Sequence, residues 1–299
     1  MINSLSDYRF EVFLEQITPY VNDIDIKFDK KNKDKVESRN EIFRTTEFKP
    51  RFDKFLVEKF KIQDNSKFLV PREKPKNENL DEERVKALNY KVILEKVKDT
   101  DYKIRKPLTT FQTSGTSYYT RPEGVKFKLI FFSLNKDLLK VLKDNLAEFL
   151  AVTNFGKRKN KCYGSFYISP DDTNYKDIDN LELLNKFSFF KKNGKNYLEM
   201  NLNPKKNGNF YDKLSESLEI AKTRGKQPII LIRDGEHRKE SMAVMKILKK
   251  DDKYRLYVIP NFELVRVLKE RDLDYNTNKS IPAFDEDIFI KEIKEFLKK

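Results

Sequence analysis

Four cations lie between two glycines near the middle of the chain, in the segment Gly-Lys-Arg-Lys-Asn-Lys-Cys-Tyr-Gly at 156–164. Glycine lets a backbone come close to a phosphate chain, and adjacent amides can form a concavity that holds an anion. The cations add charge, and the tyrosine ring can stack on a base or pack. The residues that could do this chemistry are Gly156, Lys157, Arg158, Lys159, Lys161, Tyr163 and Gly164. A helix that ends at the first glycine, followed by a solvated cationic turn, gives the same pattern, so both interpretations stay open.

A second basic segment, Arg-Thr-Thr-Glu-Phe-Lys at 44–49, stands at the predicted start of a helix. The apolar spacing predicts this helix over 46–60, with Thr46 as its N-cap and Pro50 in its first turn. Helix amides, a hydroxyl group and a cation directed at one point suit a phosphate. An ordinary capped helix with basic residues on its solvent-facing side also explains the segment. This interpretation is favoured when the segment is taken alone. The predicted phosphate contacts are Arg44, Thr46 and Lys49.

A third segment, Thr-Ser-Gly-Thr-Ser-Tyr-Tyr-Thr-Arg at 113–121, combines hydroxyl groups, a glycine, two aromatic rings and an arginine. These side chains can contact the sugar, phosphate and base of a single strand. Without the other two segments it is an ordinary loop. The predicted contacts in it are Ser114, Tyr118 and Arg121.

The elements that must position these segments follow a recognisable order in the first half. Hydrophobic periodicity predicts strand, helix, strand, strand, helix, strand at 8–18, 46–60, 90–97, 125–133, 137–151 and 166–168. This order is the split βαβ pattern of a ferredoxin-like fold, an antiparallel sheet with both helices on one face. Residues 64–89 are polar and contain two prolines, which predicts a long insertion or mobile connection, and 155–165 form the glycine-rich loop.

The second half is less regular, and its patterns predict a further α+β unit. Strands are predicted at 187–190, 196–202 and 228–233, a hairpin at 243–250 and 254–260, and helices at 210–223, 261–271 and 284–298. The predicted fold class is α+β, with tandem ferredoxin-like (RRM-type) domains over 1–170 and 171–299.

Composition narrows the class of partner. The chain has 299 residues, with 62 Lys and Arg against 48 Asp and Glu, for a formal charge of +14. This excess of positive charge favours a polyanionic partner. A lysine-rich genome would also raise the net charge, so we give the net charge about half of its weight as evidence for such a partner. Cys162 and His237 are the single residues of their types, which excludes an intrachain disulfide and a Cys/His zinc cluster. No apolar run is long enough to span a membrane, and no signal peptide is evident. We therefore expect a cytoplasmic protein without cofactor, metal or membrane partner.

The three segments together resemble the RAMP superfamily of CRISPR effector proteins. The strand that ends in Gln-Ile-Thr-Pro at 16–19 is similar to the family's first strand, and 44–49 is similar to its "R-x-[TS]-x-[IF]-[KR]-G" motif, with Pro50 in place of the glycine. The helix at 137–151 that leads into 155–166 resembles the superfamily's glycine-rich loop, in which Cys162 replaces the usual Arg or Gly of "R-G-[FY]-G".

Two further stretches resemble one branch of this superfamily. The loop at 114–118 is similar to the "F-G-S-T-x-x-S" stretch in the first subunit of Cmr-type modules. Gln-Pro-Ile-Ile at 227–230 resembles the start of a later strand in the same subunits. The resemblance implies a non-catalytic subunit of a type III effector, most like the one that caps the target-3′ end in a type III-B Cmr-type complex. It implies crRNA or target RNA and other Cas subunits as partners.

Two alternatives stay open from the residues. Some relatives in the superfamily are metal-independent endoribonucleases that process CRISPR precursor RNA, and they need a general acid or base beside the scissile phosphate. His237 lies among Arg233, Arg238 and Lys239 and is the candidate for that role, although an exposed histidine in a charged turn is the favoured interpretation. The other alternative is a protein–protein scaffold that makes no contact with RNA.

Overall fold

A computed structural model describes residues 5–22, 27–28, 36–37, 43–63, 66–71, 87–97, 103–105, 118–122, 124–157, 159–160, 162–188, 194–200, 229–234, 236–241, 243–250 and 253–261. The strands and helices below are numbered in chain order.

The principal sheet has four antiparallel strands. They are β1 (Arg9–Gln16), β5 (Lys91–Lys96), β8 (Lys126–Phe132) and β9 (Phe166–Ile168). Their order across the sheet is β5-β8-β1-β9, so the first strand lies in the interior and the last forms an edge. Burial alternates along β8, where Phe127, Leu129 and Phe131 are buried, as expected for a sheet covered on one face.

Two helices, α1 (Thr45–Phe60) and α2 (Lys136–Val152), supply the cover. The side chain of Asn135 caps α2 by accepting a hydrogen bond from the amide of Leu138 at 3.1 Å, and the leucines that follow at helical spacing are buried. The element order β1-α1-β5-β8-α2-β9 confirms the strand–helix–strand–strand–helix–strand order predicted for the first half.

A cluster of buried aromatic rings holds the ends of both helices against the sheet. Phe43, which precedes α1, stacks on Phe166 of β9 with ring centroids 4.7 Å apart. Phe155, which follows α2, packs edge-on against Phe43 at 4.9 Å. Burial of each phenylalanine contributes about 1.5–3 kcal/mol, so this cluster fixes where the start of α1 and the loop after α2 lie.

The start of α1 differs from the prediction. The helix begins at Thr45, with Arg44 at the N-cap position, and no side chain caps it. The carbonyl of Arg44 accepts hydrogen bonds from the amides of Glu47 and Phe48 at 3.1 and 3.0 Å, which starts the helix one residue before the threonine predicted as the cap. Pro50 is consequently the sixth residue of the helix and not part of its first turn.

Part of the segment at 113–121, which was predicted as a loop, is a strand. β7 (Tyr118–Arg121) pairs with β2 (Tyr20–Asn22) and with β6 (Lys103–Arg105) in a second sheet of order β2-β7-β6. The side-chain amide of Gln16 donates to the carbonyl of Thr120 at 3.1 Å, which joins the end of β1 to this sheet. The pairing is non-local in sequence, and local composition therefore could not reveal it.

The ends of the insertion predicted at 64–89 pair with each other. The amide of Val70 donates to the carbonyl of Ala87 at 2.9 Å, and that of Asn89 donates to Phe68 at 2.7 Å. Residues 72–86 lie outside the described residues. A further two-residue pair, β3 (Lys27–Phe28) with β4 (Val36–Glu37), lies between β2 and α1 in the chain.

The second half contains the predicted hairpin. β13 (Ala243–Lys250) and β14 (Lys253–Pro260) pair antiparallel, and β10 (Leu198–Met200) adds to β14. β11 (Ile229–Asp234) pairs with β12 (Glu236–Ser241) in a separate two-stranded sheet. α3 (Asn180–Phe187) was not predicted, and it contains the first residue of the strand expected at 187–190.

These elements confirm an α+β fold with antiparallel sheets and helices packed on them. The helices predicted at 210–223 and 284–298, and 262–271 of the third, lie outside the described residues, so a second ferredoxin-like domain stays a prediction. Among the helices described, none is long and apolar enough to cross a membrane. Among the described residues, no group of three or more His, Cys, Asp or Glu side chains is placed so that it could hold a metal ion.

Candidate nucleic-acid interface

The glycine-rich loop folds back on itself. Gly156 and Gly164 have φ angles of +78° and +68°, in the left-handed region that favours glycine. The amide of Phe155 donates to the carbonyl of Gly164 at 2.9 Å, and the amide of Gly164 donates to Pro19 at 2.8 Å. The loop is therefore closed at its base and attached to the chain just after β1.

Both glycines are required by the protein's own backbone. A Cβ on Gly156 would lie 2.5 Å from the carbonyl oxygen of Val21, and one on Gly164 would lie 2.8 Å from the carbonyl carbon of Phe155. We predicted that these glycines let a phosphate approach. The structure shows that they let the neighbouring chain segments approach, and the approach of a phosphate stays a prediction.

Glu47 joins the start of α1 to the glycine-rich loop. Its Oε1 accepts a hydrogen bond from the amide of Gly156 at 2.6 Å, and its Oε2 accepts one from the hydroxyl of Tyr20 at 2.9 Å. Tyr20 is buried, and burial together with the neighbouring carboxylate raises the pKa of its hydroxyl group. Two of the three predicted segments are therefore held side by side by one carboxylate.

Exposed polar groups surround this junction. Arg44 and Thr46 on α1 and Lys157 on the loop are exposed. Arg44 lies close enough to the Tyr20 hydroxyl to favour its ionised form, and the Tyr20 ring lies directly beneath Gly156. The three exposed residues therefore belong to the two segments that Glu47 joins. Lys159 is half-buried, and Arg158 and Lys161 lie outside the described residues.

Three of the residues predicted to contact RNA are buried or half-buried. Tyr163 is 2% exposed and packs in a buried cluster, so of its two predicted roles it takes packing and not stacking on a base. Arg121, on the middle strand of its sheet, is 6% exposed.

Lys49 is the third of these. Its amine donates to Asp53 Oδ2 at 2.6 Å and to the carbonyl of Leu88 at 3.0 Å, and it lies 4.1 Å from the centre of the Tyr90 ring. Asp53 is buried, which raises the pKa of its carboxyl group, and the hydrogen bond from Lys49 opposes that shift. Lys49 thus compensates a buried carboxylate, and its contact with a phosphate stays a prediction.

For the remaining predicted residues the structure describes the backbone alone or nothing. Ser114 lies outside the described residues, and the backbone of Tyr118 pairs with Asn22. His237 lies in β12 opposite Arg233 of β11 and not in the turn that was expected to contain it.

Residues that the sequence analysis did not identify attach the loop to the β13–β14 hairpin. The buried side-chain amide of Asn154 donates to the carbonyls of Lys159 and Met245 at 2.6 and 2.9 Å. The amide of Met245 donates to Asn160 at 3.2 Å. Arg51 donates to the carbonyl of Asn154 at 2.5 Å, which adds α1 to the same junction. Only Glu47, a carboxylate in the first turn of a helix, carried a recognisable sequence signal.

Lys246 of β13 is fully buried at this junction. Its amine donates to the carbonyl of Thr153 at 2.7 Å and lies 4.6 Å from the centre of the Tyr167 ring. Burial, with the positive charge of Arg51, holds the pKa of Lys246 well below its usual range, while Cys162 opposes the shift. The unfolded chain therefore binds a proton that the folded protein releases, and the folded state loses stability as the pH falls.

Lys246→Met tests this effect. The variant is expected to be more stable than the wild type at pH 6.5 by about 1–4 kcal/mol, because a methionine of similar length carries no charge to bury. Its advantage should shrink as the pH rises towards the ordinary pKa of lysine, by at most about 1.4 kcal/mol per pH unit. Urea denaturation at pH 6.5, 8.0 and 9.5 measures this, and the ionisation of Cys162 and the tyrosines largely cancels between the two proteins. An advantage that is constant over this range would contradict the assignment.

Comparison with known proteins identifies a family that the chain matches. A family model described as the Cmr1 N-terminal domain matches residues 7–223, which is more than half of the chain. No curated protein matches. A solved structure described as a cryo-EM structure of the type III-B Cmr-beta bound to cognate target RNA contains a chain that is 14% identical, with a TM-score of 0.36. The match covers 54% of this chain and 58% of that one, little more than half of each.

Proposed function

The chain belongs to the Cmr1 N-terminal domain family, and from this premise we propose that it is an RNA-binding subunit of a type III-B CRISPR effector complex. In this role it contacts the backbone of crRNA or target RNA beside other Cas subunits, and it catalyses no reaction itself. The resemblance of the glycine-rich loop and of the segment at 44–49 to the RAMP superfamily supports the same function. In this proposal the second half, 171–299, forms a divergent ferredoxin-like domain.

The observation that carries this proposal is the junction made by Glu47. It holds the first turn of α1 against Gly156, and the exposed residues Arg44, Thr46 and Lys157 belong to the two segments that it joins. A cation, a hydroxyl group and a second cation on adjoining segments suit the phosphates of a strand, whatever its bases. The net charge of +14 favours approach of the RNA over long distances.

Binding through phosphates implies independence from sequence. Lysine and arginine contacts to the backbone position a strand but do not read it, so affinity should depend on strand length and salt more than on base composition. Specificity then comes from base pairing between crRNA and target, and this subunit contributes only sequence-independent affinity.

The experiment that tests the proposal replaces Lys157, Arg158 and Lys159 together by alanine. For a labelled single-stranded RNA, the affinity is expected to fall on the order of 10-fold at 0.1 M salt, because three phosphate contacts are lost. The slope of log affinity against log salt should decrease in magnitude by about 2, at roughly 0.7 per phosphate of a single strand. Fluorescence anisotropy at several salt concentrations gives both quantities.

The matched control removes three charges elsewhere. Lys91 and Lys96 on β5 and Lys140 on α2 are exposed, and their joint replacement by alanine changes the net charge by the same amount. This control should leave the salt slope nearly unchanged. Equal losses in the two variants would mean that RNA is attracted by overall charge alone, and an unchanged affinity in the loop variant would exclude the loop as a binding site.

A further inference from the structure

A cleft opens beside the glycine-rich loop, between that loop and α1. Its volume is about 50 Å³, enough for about four water molecules. It is bounded by α1, the end of α2, the loop after α2, the start of β13 and the residue after β14. The lining residues that matter here are Lys54, Phe55, Glu58, Phe149, Lys159 and Asn160.

The wall of the cleft is aromatic. Phe149 is 2% exposed, whereas Phe55 is half-buried and presents part of its ring to the cleft. The two ring centroids are 5.5 Å apart, and Phe149 also packs against Phe52 at 4.7 Å. Phe55 is therefore a ring supported from behind by rigid neighbours, the arrangement in which an aromatic side chain stacks on a base at little cost in entropy.

The rim of the cleft is polar and mainly basic. Three cations, Arg51, Lys54 and Lys159, line it with one carboxylate, Glu58. Arg51 donates to the carbonyl of Asn154, and the other two cations of the lining are Lys54 and Lys159. Asn160, half-buried on the loop, adds a side-chain amide that can both donate and accept hydrogen bonds.

We propose that this cleft accepts one unstacked base of the RNA strand, with its ring against Phe55 and its flanking phosphates on Lys54 and Lys159. The inference rests on the proposed function, because the same strand crosses the glycine-rich loop, of which Lys159 is part. A phosphate alone would suit the basic rim but would leave the aromatic wall uncovered. A single-stranded base satisfies both the wall and the rim.

Two probes separate a base from a phosphate. One is a fluorescent decamer of uridylate, and the other is a decamer of the same length with abasic ribose at every position. Phe55→Leu is expected to weaken the binding of the uridylate decamer on the order of 10-fold, because stacking on one base is lost, and to leave the abasic decamer unaffected. Lys54→Ala should weaken both decamers alike, because both carry phosphates, and should lower the salt slope by about 0.7.

The controls keep the result interpretable. Leucine at 55 retains most of the apolar volume, and a thermal melt of each variant checks that the fold is intact. Phe60, which is 47% exposed and lies outside the cleft near the end of the same helix, supplies the matched aromatic control Phe60→Leu. It should leave the binding of both decamers unchanged.

The possible outcomes distinguish the proposal of a bound base from the proposed function in RNA binding. An equal loss on both decamers for Phe55→Leu, or no loss on either, overturns the proposal of a bound base. If the alanine variant of the loop lysines still loses affinity in that case, the proposed function stands and only this inference fails. If neither the loop variant nor Phe55→Leu alters RNA binding, both fail together.

Discussion

Replacement of Gly164 by alanine is expected to prevent the first half of the chain from reaching its native fold. The new Cβ would overlap the carbonyl oxygen of Phe155 and lie 2.8 and 3.0 Å from the carbonyl carbon and the amide nitrogen of that residue. All three are backbone atoms, and the chain there is fixed by the buried ring of Phe155 and by hydrogen bonds to β1 and its exit. We expect a loss of more than about 4 kcal/mol, measured by circular dichroism and urea denaturation.

Gly124→Ala is the matched control for this variant. Gly124 has a φ angle of +65°, close to that of Gly164, but no atom lies within 4 Å of its added Cβ. It should lose only about 1–2 kcal/mol, the cost of the left-handed conformation. If both variants lose the same small amount, the close approach between Gly164 and Phe155 does not constrain the loop.

The second large effect is expected at Glu47. Glu47→Ala leaves the amide of Gly156 and the buried hydroxyl of Tyr20 without their acceptor, and the free energy of unfolding should fall by about 2–3 kcal/mol. RNA affinity should also fall several-fold, because the glycine-rich loop is no longer held beside Arg44. Urea denaturation and anisotropy with single-stranded RNA measure the two effects.

Glu47→Gln separates positioning from charge. The glutamine amide can accept from the Gly156 amide and donate to the Tyr20 hydroxyl, so both contacts persist while the negative charge is removed. Its RNA affinity should equal or exceed that of the wild type, since a charge that repels phosphate is gone. If the alanine variant also binds RNA more tightly, Glu47 acts only by repulsion and does not position the loop.

Local patterns were sufficient for the first sheet and its helices. The leucines of α2 recur at helical spacing and the apolar residues of β8 alternate, and each pattern depends only on near neighbours in sequence. β7 was missed because its stability comes from β2 and β6, which are distant in sequence. α3, two turns long, gave too short a periodic signal to be recognised.

The candidate site was predicted in part. The glycine-rich loop and the start of α1 were each predicted to contact phosphates, and Glu47 holds these two segments together. The partial burial of Lys49 and the burial of Arg121 were not predicted, because charge in a sequence does not reveal which side of an element is covered. Asn154 and Lys246 gave no signal, because their partners are main-chain carbonyls that come together only in the folded protein.

The most direct test of the central claim is purification of the tagged protein from its native host, with the recovered proteins and RNA both identified. We expect small RNA derived from CRISPR repeats, together with other Cas subunits. Recovery of neither would contradict an effector subunit. Recovery of the protein alone, with a repeat-RNA cleavage activity that His237→Ala abolishes, would contradict the non-catalytic role and support a processing endoribonuclease.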